Sequence, residues 1–372
     1  MRCLAGVLGL ILVASVLGAT AARAAECDCT HLQALQAELR NALRLQARFR
    51  EAAMSLRSRG TEESRGAFRQ FAEGPATQGL EAVPGRGPAH VDYVAYGEGV
   101  AEDQLDTLAP GQTREGRQAQ LCAMRQSSLD MLNAAMRAAA CDGIARAIEA
   151  HERHHVAMCG RIGYRAYIAM HGADRAAEEA EAYGVQIAML RAEILRILER
   201  LNPRILGTVA TRITPPRNPA WSAIVTDSQM EIVATRVTVV DAAAGIVRFD
   251  GQGQQVYNAQ VQGNCRITSG MPMTIRATGE IETDGLEARI RFGVDGTIPS
   301  FSMQCAIPGA GRGSGFSIPV PASGGPEAFN LPLRDGVDHV VPLTALAASL
   351  AAGGIQMSGE ARVRLVLNCP AR

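Results

Sequence analysis

The feature that most restricts the fold is a change of hydrophobic period near residue 213. Ahead of it, apolar residues recur every three or four positions over long runs; beyond it, they alternate every second position over short ones. The two patterns meet at Ile213–Trp221, a stretch with three prolines. No one type of secondary structure serves both patterns, so the chain divides into a helical part and a β-rich part.

Leu32, Leu35, Leu39, Leu43 and Phe49 mark a first helix, from an N-cap at Thr30 to about Arg59. Glycines and prolines then interrupt the pattern as far as Gly116, leaving a short helix around Glu63–Glu73 and a short strand at Val91–Tyr96. A second long helix covers Arg114 to Ala140. After the turn Cys141-Asp142-Gly143 a third runs to about Ile168. A fourth starts near Asp174, carries Tyr183, Ile187, Leu190, Ile194, Ile197 and Leu201 on its buried stripe, and stops at Asn202-Pro203. In the β-rich part the alternating runs are Ser222–Val225, Met230–Val240, Ile246–Asp250, Gln255–Val261, Thr274–Glu282, Glu287–Gly293, Phe316–Val320 and Ala361–Leu367. Turns such as Asp284-Gly285 separate them, and Leu343–Leu350 adds one short helix. The expected fold is multidomain α plus β. A helical domain over 26–212 and a linker over 213–221 lead to an antiparallel β-sandwich or barrel over 222–372. A chain of 372 residues is long enough for each part to bury a core of its own.

Residues 1–25 read as a signal peptide: Arg2, an apolar run from Leu4 to Leu17, and the small-x-small site Ala22-Arg23-Ala24. That run is too short to span a bilayer comfortably, and no later run approaches the ~20 apolar residues a span needs. The expectation is an exported protein, periplasmic or extracellular, with no transmembrane segment after processing. Eight cysteines remain beyond the leader, an even number that suits disulfides in an oxidising compartment. If the second and third helices form a hairpin about Cys141, then Cys122 and Cys159 lie opposite each other at its far end and pair. Cys141 with Cys159 is excluded, because 18 helical residues separate them by ~27 Å. Cys141 pairs with Cys27 or Cys29, and one bridge joins the two domains. The 37 basic residues are all arginine and balance 37 acidic ones, while aromatics make up 4 %. Neither a basic field nor a stacking platform for nucleic acid is present.

The chemistry gathers in His151-Glu152-Arg153-His154-His155. Residues four apart share a helix face, so His151 and His155 can turn imidazole nitrogens toward one ion, with Glu152 one residue along to act as general base. Both histidines fall on the inward stripe of Ile144, Ile148, Met158 and Ile162. On the following helix the apolar stripe extends back to Glu179, and a carboxylate on an apolar face wants a cationic partner. Glu179 is thus the third ligand, ahead of Glu178 and Glu181, which point further round the helix. Tyr183, one turn on, could donate to a developing oxyanion. His154 is off ligand spacing, and His90 and His339 stand alone.

At this motif the sequence resembles the zincin metallopeptidases, over about Ile144 to Leu198. The resemblance implies one zinc held by two histidines and a glutamate, an open position for water, and hydrolysis of a protein or peptide substrate with Glu152 moving the proton. It also implies a strand beside the metal helix that pairs with extended substrate, for which Val91–Tyr96 is the candidate. Met158 and Arg161 occupy the positions where the metzincin branch has glycine and histidine, which excludes that branch. The glutamate-zincin pattern is incomplete, since Tyr183 and not aspartate follows Glu179 by four, so support for the histidines must come from another group. The β-rich part has no clustered ligands and reads as a module for a surface partner or substrate. Two other readings stand beside the peptidase. One is a non-enzymatic exported binding or scaffold protein; the other is a structural metal closed by a fourth ligand, for which Cys159 is placed.

Overall fold

The computed structural model describes residues 25–84, 105–214, 221–263, 265–269, 273–294, 302–305, 328–333, 337–342, 351 and 356–368. Residues 1–24 of the expected leader, the strand at Val91–Tyr96, His90, the run Phe316–Val320 and the helix at Leu343–Leu350 lie outside them.

Among the described residues seven α-helices come first: α1 (Leu32–Leu56), α2 (Thr61–Ala72), α3 (Arg114–Cys122), α4 (Gln126–Arg137), α5 (Asp142–Ile162), α6 (Tyr164–Ile168) and α7 (Gly172–Leu198). The side-chain cap ahead of α1 is not Thr30 but Asp28, two residues earlier, and α1 itself starts after His31 without a side-chain cap. The Asp28 side chain accepts from the Thr30 amide and starts a short 3₁₀ turn over Cys29–His31, from which α1 continues. The expected helix from Arg114 to Ala140 is two helices, broken where Ala123 and Arg125 take extended backbone. The motif helix ends at Ile162 rather than Ile168. Gly163 adopts φ +92°, a conformation that costs glycine little, and redirects the chain into α6.

The strands are β1 (Asn202–Thr214), β2 (Trp221–Asp241), β3 (Ile246–Gly263), β4 (Cys265–Ser269), β5 (Met273–Glu282), β6 (Glu287–Val294), β7 (Ser302–Cys305), β8 (Ala328–Pro332), β9 (His339–Pro342) and β10 (Gln356–Asn368). Eight of them make one sheet in the order β8-β6-β5-β3-β2-β1-β10-β9, and every neighbouring pair is antiparallel. The sheet curls into a half-barrel; β4 and β7 pair separately, with Cys265 opposite Cys305. Of the antiparallel sandwich or barrel expected from the alternation, the described residues show an antiparallel sheet curled into a half-barrel. Two pairs of short runs fuse into the long strands β2 and β3, which stay paired along most of their length through three register shifts. Strand β1 begins directly after α7, so the expected boundary at 212–213 falls inside a strand.

Alternation along β10 buries Ala361, Val363, Leu365 and Leu367 and leaves Arg362 and Arg364 outside. The same inward face of the sheet supplies Ile205, Ile232, Phe249, Ile275 and Ile290 to a cluster that also holds Leu35, Leu39, Ile144, Leu190 and Ile194. Helices and sheet thus share one core, where the sequence suggests two. Helix α1 lies at the junction. Its Gln36 donates to the Gly285 carbonyl (3.0 Å) and its Arg40 to that of Asp284 (3.2 Å), both in the β5–β6 turn. A second cluster joins α1, α2 and α7 through Phe49, Phe68, Ala173, Ala176 and Ala180.

Between described residues, two bridges brace the helical part. Cys122–Cys159 ties α3 to the end of α5, as the spacing predicts, although through a broken second helix. Cys27–Cys141 anchors the N-terminal segment to the start of α5, and Cys29 is disulfide-bonded as well. Among the described residues no helix is long and apolar enough to cross a membrane.

Two outcomes follow for stability. Helix α7 starts at Gly172, where an added Cβ would stand 2.0 Å from the Ser64 carbonyl oxygen of α2. Gly172→Ala should destabilise the protein by about 1–3 kcal/mol, read by chemical denaturation, because backbone must move to admit the methyl group. The segment after α2 is held to α1 by Glu81, whose carboxylate takes Arg40 Nε (3.0 Å) and Nη2 (2.8 Å). The hydrogen bond from Arg40, its charge, and Arg44 hold the Glu81 pKa below the usual 4.5 against the opposing effect of burial. The stabilisation is thus complete above pH ~4.5 and fades as pH falls through the lower folded value. Glu81→Gln should be less stable than wild type at pH 7, with the gap closing on acidification below pH ~4.5. A gap unchanged by acid would show that the carboxylate charge contributes nothing.

Candidate metal centre

Helices α5 and α7 run antiparallel, joined by α6, and the motif residues face the first turns of α7. Helix α5 buries Ile144, Ile148, His151, Glu152, His155 and Cys159, so the inward stripe holds up to the bridge; beyond it, Ile162 is exposed. Helix α7 is enclosed by α1, α2 and α5 together, and this places its acidic residues differently from the expected stripe. Glu178 is 2 % exposed, while Glu179 retains 22 % of its side-chain surface. Stepping back by fours from Tyr183 leads to Glu179, but each such step drifts around a helix of 3.6 residues per turn. A second buried line, Glu178, Ala182, Gln186 and Glu193, faces inward too.

Three donor atoms converge. Nε2 of His151 and Nε2 of His155 stand 3.2 Å apart, and Glu179 Oε2 is 3.6 Å from each. Around a tetrahedral ion with bonds of about 2.0–2.1 Å, neighbouring donors lie about 3.3 Å apart. His151, His155 and Glu179 therefore form a group that could hold a metal ion, the one such group among the described residues. The set chosen by spacing and stripe is the set the fold brings together.

The surroundings favour positive charge. Three carboxylates, of Glu152, Glu178 and Glu179, face two imidazoles. Burial disfavours charge on His155, yet Glu179 and Glu178 outweigh it and raise its pKa to about 9. Burial would raise Glu179, but His155 and His151 hold it down to about 2. A divalent cation meets the same demand when it takes the place of a proton. Glu152 differs. Burial, the largest influence, pushes its carboxyl above the usual range although both histidines pull it down, and its Oε2 is buried without a hydrogen-bond partner.

The group that supports His155 comes from a residue the sequence ranked as a substitute ligand. Glu178 Oε1 lies 2.7 Å from His155 Nδ1, at hydrogen-bond distance and on the ring nitrogen that does not face the donor triangle. The sequence carried a faint signal of this, an acidic pair on an otherwise alanine-rich turn. Tyr183 packs its ring between Phe49 (5.8 Å, stacked) and His151 (4.4 Å, edge-on). Burial first, then the nearby carboxylates, raise its hydroxyl well above the ordinary phenol range, so it keeps its proton. Glu181 is exposed and pairs with His154 at 3.7 Å, on the rim and away from the donor triangle. Cys159, the proposed closing ligand of a structural site, is consumed by its bridge to Cys122.

Comparison with protein-family models, with curated proteins and with solved structures finds no match for this chain.

Proposed function

We propose that the chain is an exported zinc-dependent peptidase of zincin type, acting on protein or peptide substrates. The observation that carries this reading is the donor triangle of His151, His155 and Glu179 beside a buried Glu152 whose Oε2 has no hydrogen-bond partner. Three protein ligands leave a coordination position open, as in hydrolytic rather than structural zinc sites. A bound zinc ion supplies Lewis acidity toward a scissile carbonyl and lowers the pKa of water toward neutrality. The chain's own residues supply the remainder. Glu152 accepts a proton from the attacking water and passes it to the leaving amine, a task eased by a carboxyl with a raised pKa. Tyr183 keeps its proton and offers a donor to the negative charge that develops on the substrate oxygen. Disulfides at Cys27–Cys141 and Cys122–Cys159 support an oxidising, extracytoplasmic setting. The curled sheet, which shares its core with α1, α5 and α7, is read as the platform that holds the helices. Its outward face is the candidate surface for a partner.

The decisive experiment combines elemental analysis with a proteolysis assay on the mature chain. Wild type should carry one zinc and cleave an unfolded protein such as reduced casein. Glu152→Gln should keep its zinc and lose at least about two orders of magnitude in rate, since general-base catalysis contributes roughly 10²–10⁴-fold. His151→Ala should lose both zinc and activity. Full activity in Glu152→Gln would sink the assignment. A protein that neither contains nor takes up zinc would instead favour a non-enzymatic binding or scaffold role.

A further inference from the structure

We propose that Glu178 is the positioning residue of the metal centre. On this view it fixes His155 as the Nδ1–H tautomer, so that Nε2 keeps its lone pair for the ion; the proposal rests on the metal-site reading above. The 2.7 Å separation of Glu178 Oε1 from His155 Nδ1 is that of a charge-assisted hydrogen bond. Both residues are buried, at 2 % and 4 % exposure, so water does not compete for either atom. An imidazole that donates from Nδ1 has only Nε2 left to ligate, and that is the atom pointing at His151 and Glu179.

Glu178 is itself held by two further side chains, one on α6 and one on its own helix. The Tyr167 hydroxyl of α6 lies 3.4 Å from Oε1 and donates to it. Arg175 Nη1, one turn earlier on α7, lies 3.6 Å from Oε2, and its guanidinium stacks over the Tyr167 ring at 3.8 Å. These contacts offset the burial of the carboxylate and give it one orientation. His151 is steadied otherwise. Its Nδ1 is buried without a hydrogen-bond partner, and the aromatic edge of Tyr183, backed by Phe49, sets its ring. One histidine is thus oriented by a charged hydrogen bond and the other by packing. Changes at Glu178 should act on metal affinity through His155 alone.

The test measures zinc dissociation constants by chelator competition on the full mature chain, together with the visible spectrum of the cobalt(II)-substituted protein. Loss of a carboxylate that orients a ligating histidine typically costs 10–100-fold in metal affinity. Glu178→Ala should weaken zinc by that factor. Glu178→Gln, which retains an acceptor for Nδ1–H, should recover part of the loss, with the two metal-free variants melting together. Tyr167→Phe, which keeps the ring under Arg175, should weaken zinc a few-fold and provides a second reading if Glu178→Ala does not fold. Cobalt spectra of Glu178→Gln and wild type should share one coordination number. Wild-type affinity in both Glu178→Gln and Tyr167→Phe, with zinc lost in His155→Ala, would overturn the positioning role and leave the metal site standing. Zinc abolished in Glu178→Gln, with a changed cobalt coordination number, would make Glu178 a ligand and also overturn it. A wild-type chain that binds no zinc would overturn both readings.

Discussion

Everything at the centre of this protein depends on the pairing of α5 with α7, which confines two imidazoles and three carboxylates between helices with little access to water. Burying this many ionisable groups is unfavourable unless each finds an opposite charge or a hydrogen bond. Some do so within the chain: Glu178 with His155, Tyr167 and Arg175, and Glu179 with both histidines. Glu152 Oε2 and His151 Nδ1, on neighbouring residues of the motif, are buried without a hydrogen-bond partner, as is Glu178 Oε2 apart from its ion pair with Arg175. The group is thus arranged around a demand for positive charge, and a divalent ion meets that demand with one more unit than a proton does.

Holding α5 and α7 in this relation is the work of the rest of the fold. Gly163 and α6 turn the chain between them; Cys122–Cys159 secures the end of α5, and Cys27–Cys141 its start. Gly172 lets α2 approach the first turn of α7 at backbone distance, just ahead of the acidic pair. Behind the helices, α1 is bound to the β5–β6 turn through Gln36 and Arg40, and its apolar face merges with that of the curled sheet. A helix pair alone would bury too little to hold charged groups in place. Resting on a shared core, it gains the rigidity a ligand triangle needs.

Much of this was legible beforehand, for a physical reason in each case. His151 and His155 were identifiable because i and i+4 share a helix face. Glu179 followed from the apolar stripe of its own helix, and Cys122–Cys159 from the spacing of cysteines about a turn. The burial of Glu178 was not legible. It depends on α7 being enclosed on several sides, and a stripe read from one helix shows only the strongest of its buried faces. The half-barrel was out of reach for a similar reason. Alternation in β2, β3, β5, β6 and β10 fixes which residues point inward, but not the strand order or how far a sheet curls. Strand β1 was missed because Pro203 and Gly207 weaken its pattern. Its identity comes from pairing with β2 and β10 on either side.

The sequence by itself determined the periods, helical and then alternating, and with them which side chains are interior and which pair of histidines can share an ion. These are properties of local geometry, carried within a few residues of chain. The tertiary structure alone decided that Glu178 serves His155 while Glu179 completes the triangle, that Cys159 is locked in a bridge, and that helices and sheet grow from one core. Each of those depends on which surface meets which across long separations in the chain. Such a choice is made by packing as a whole, since no local pattern encodes it.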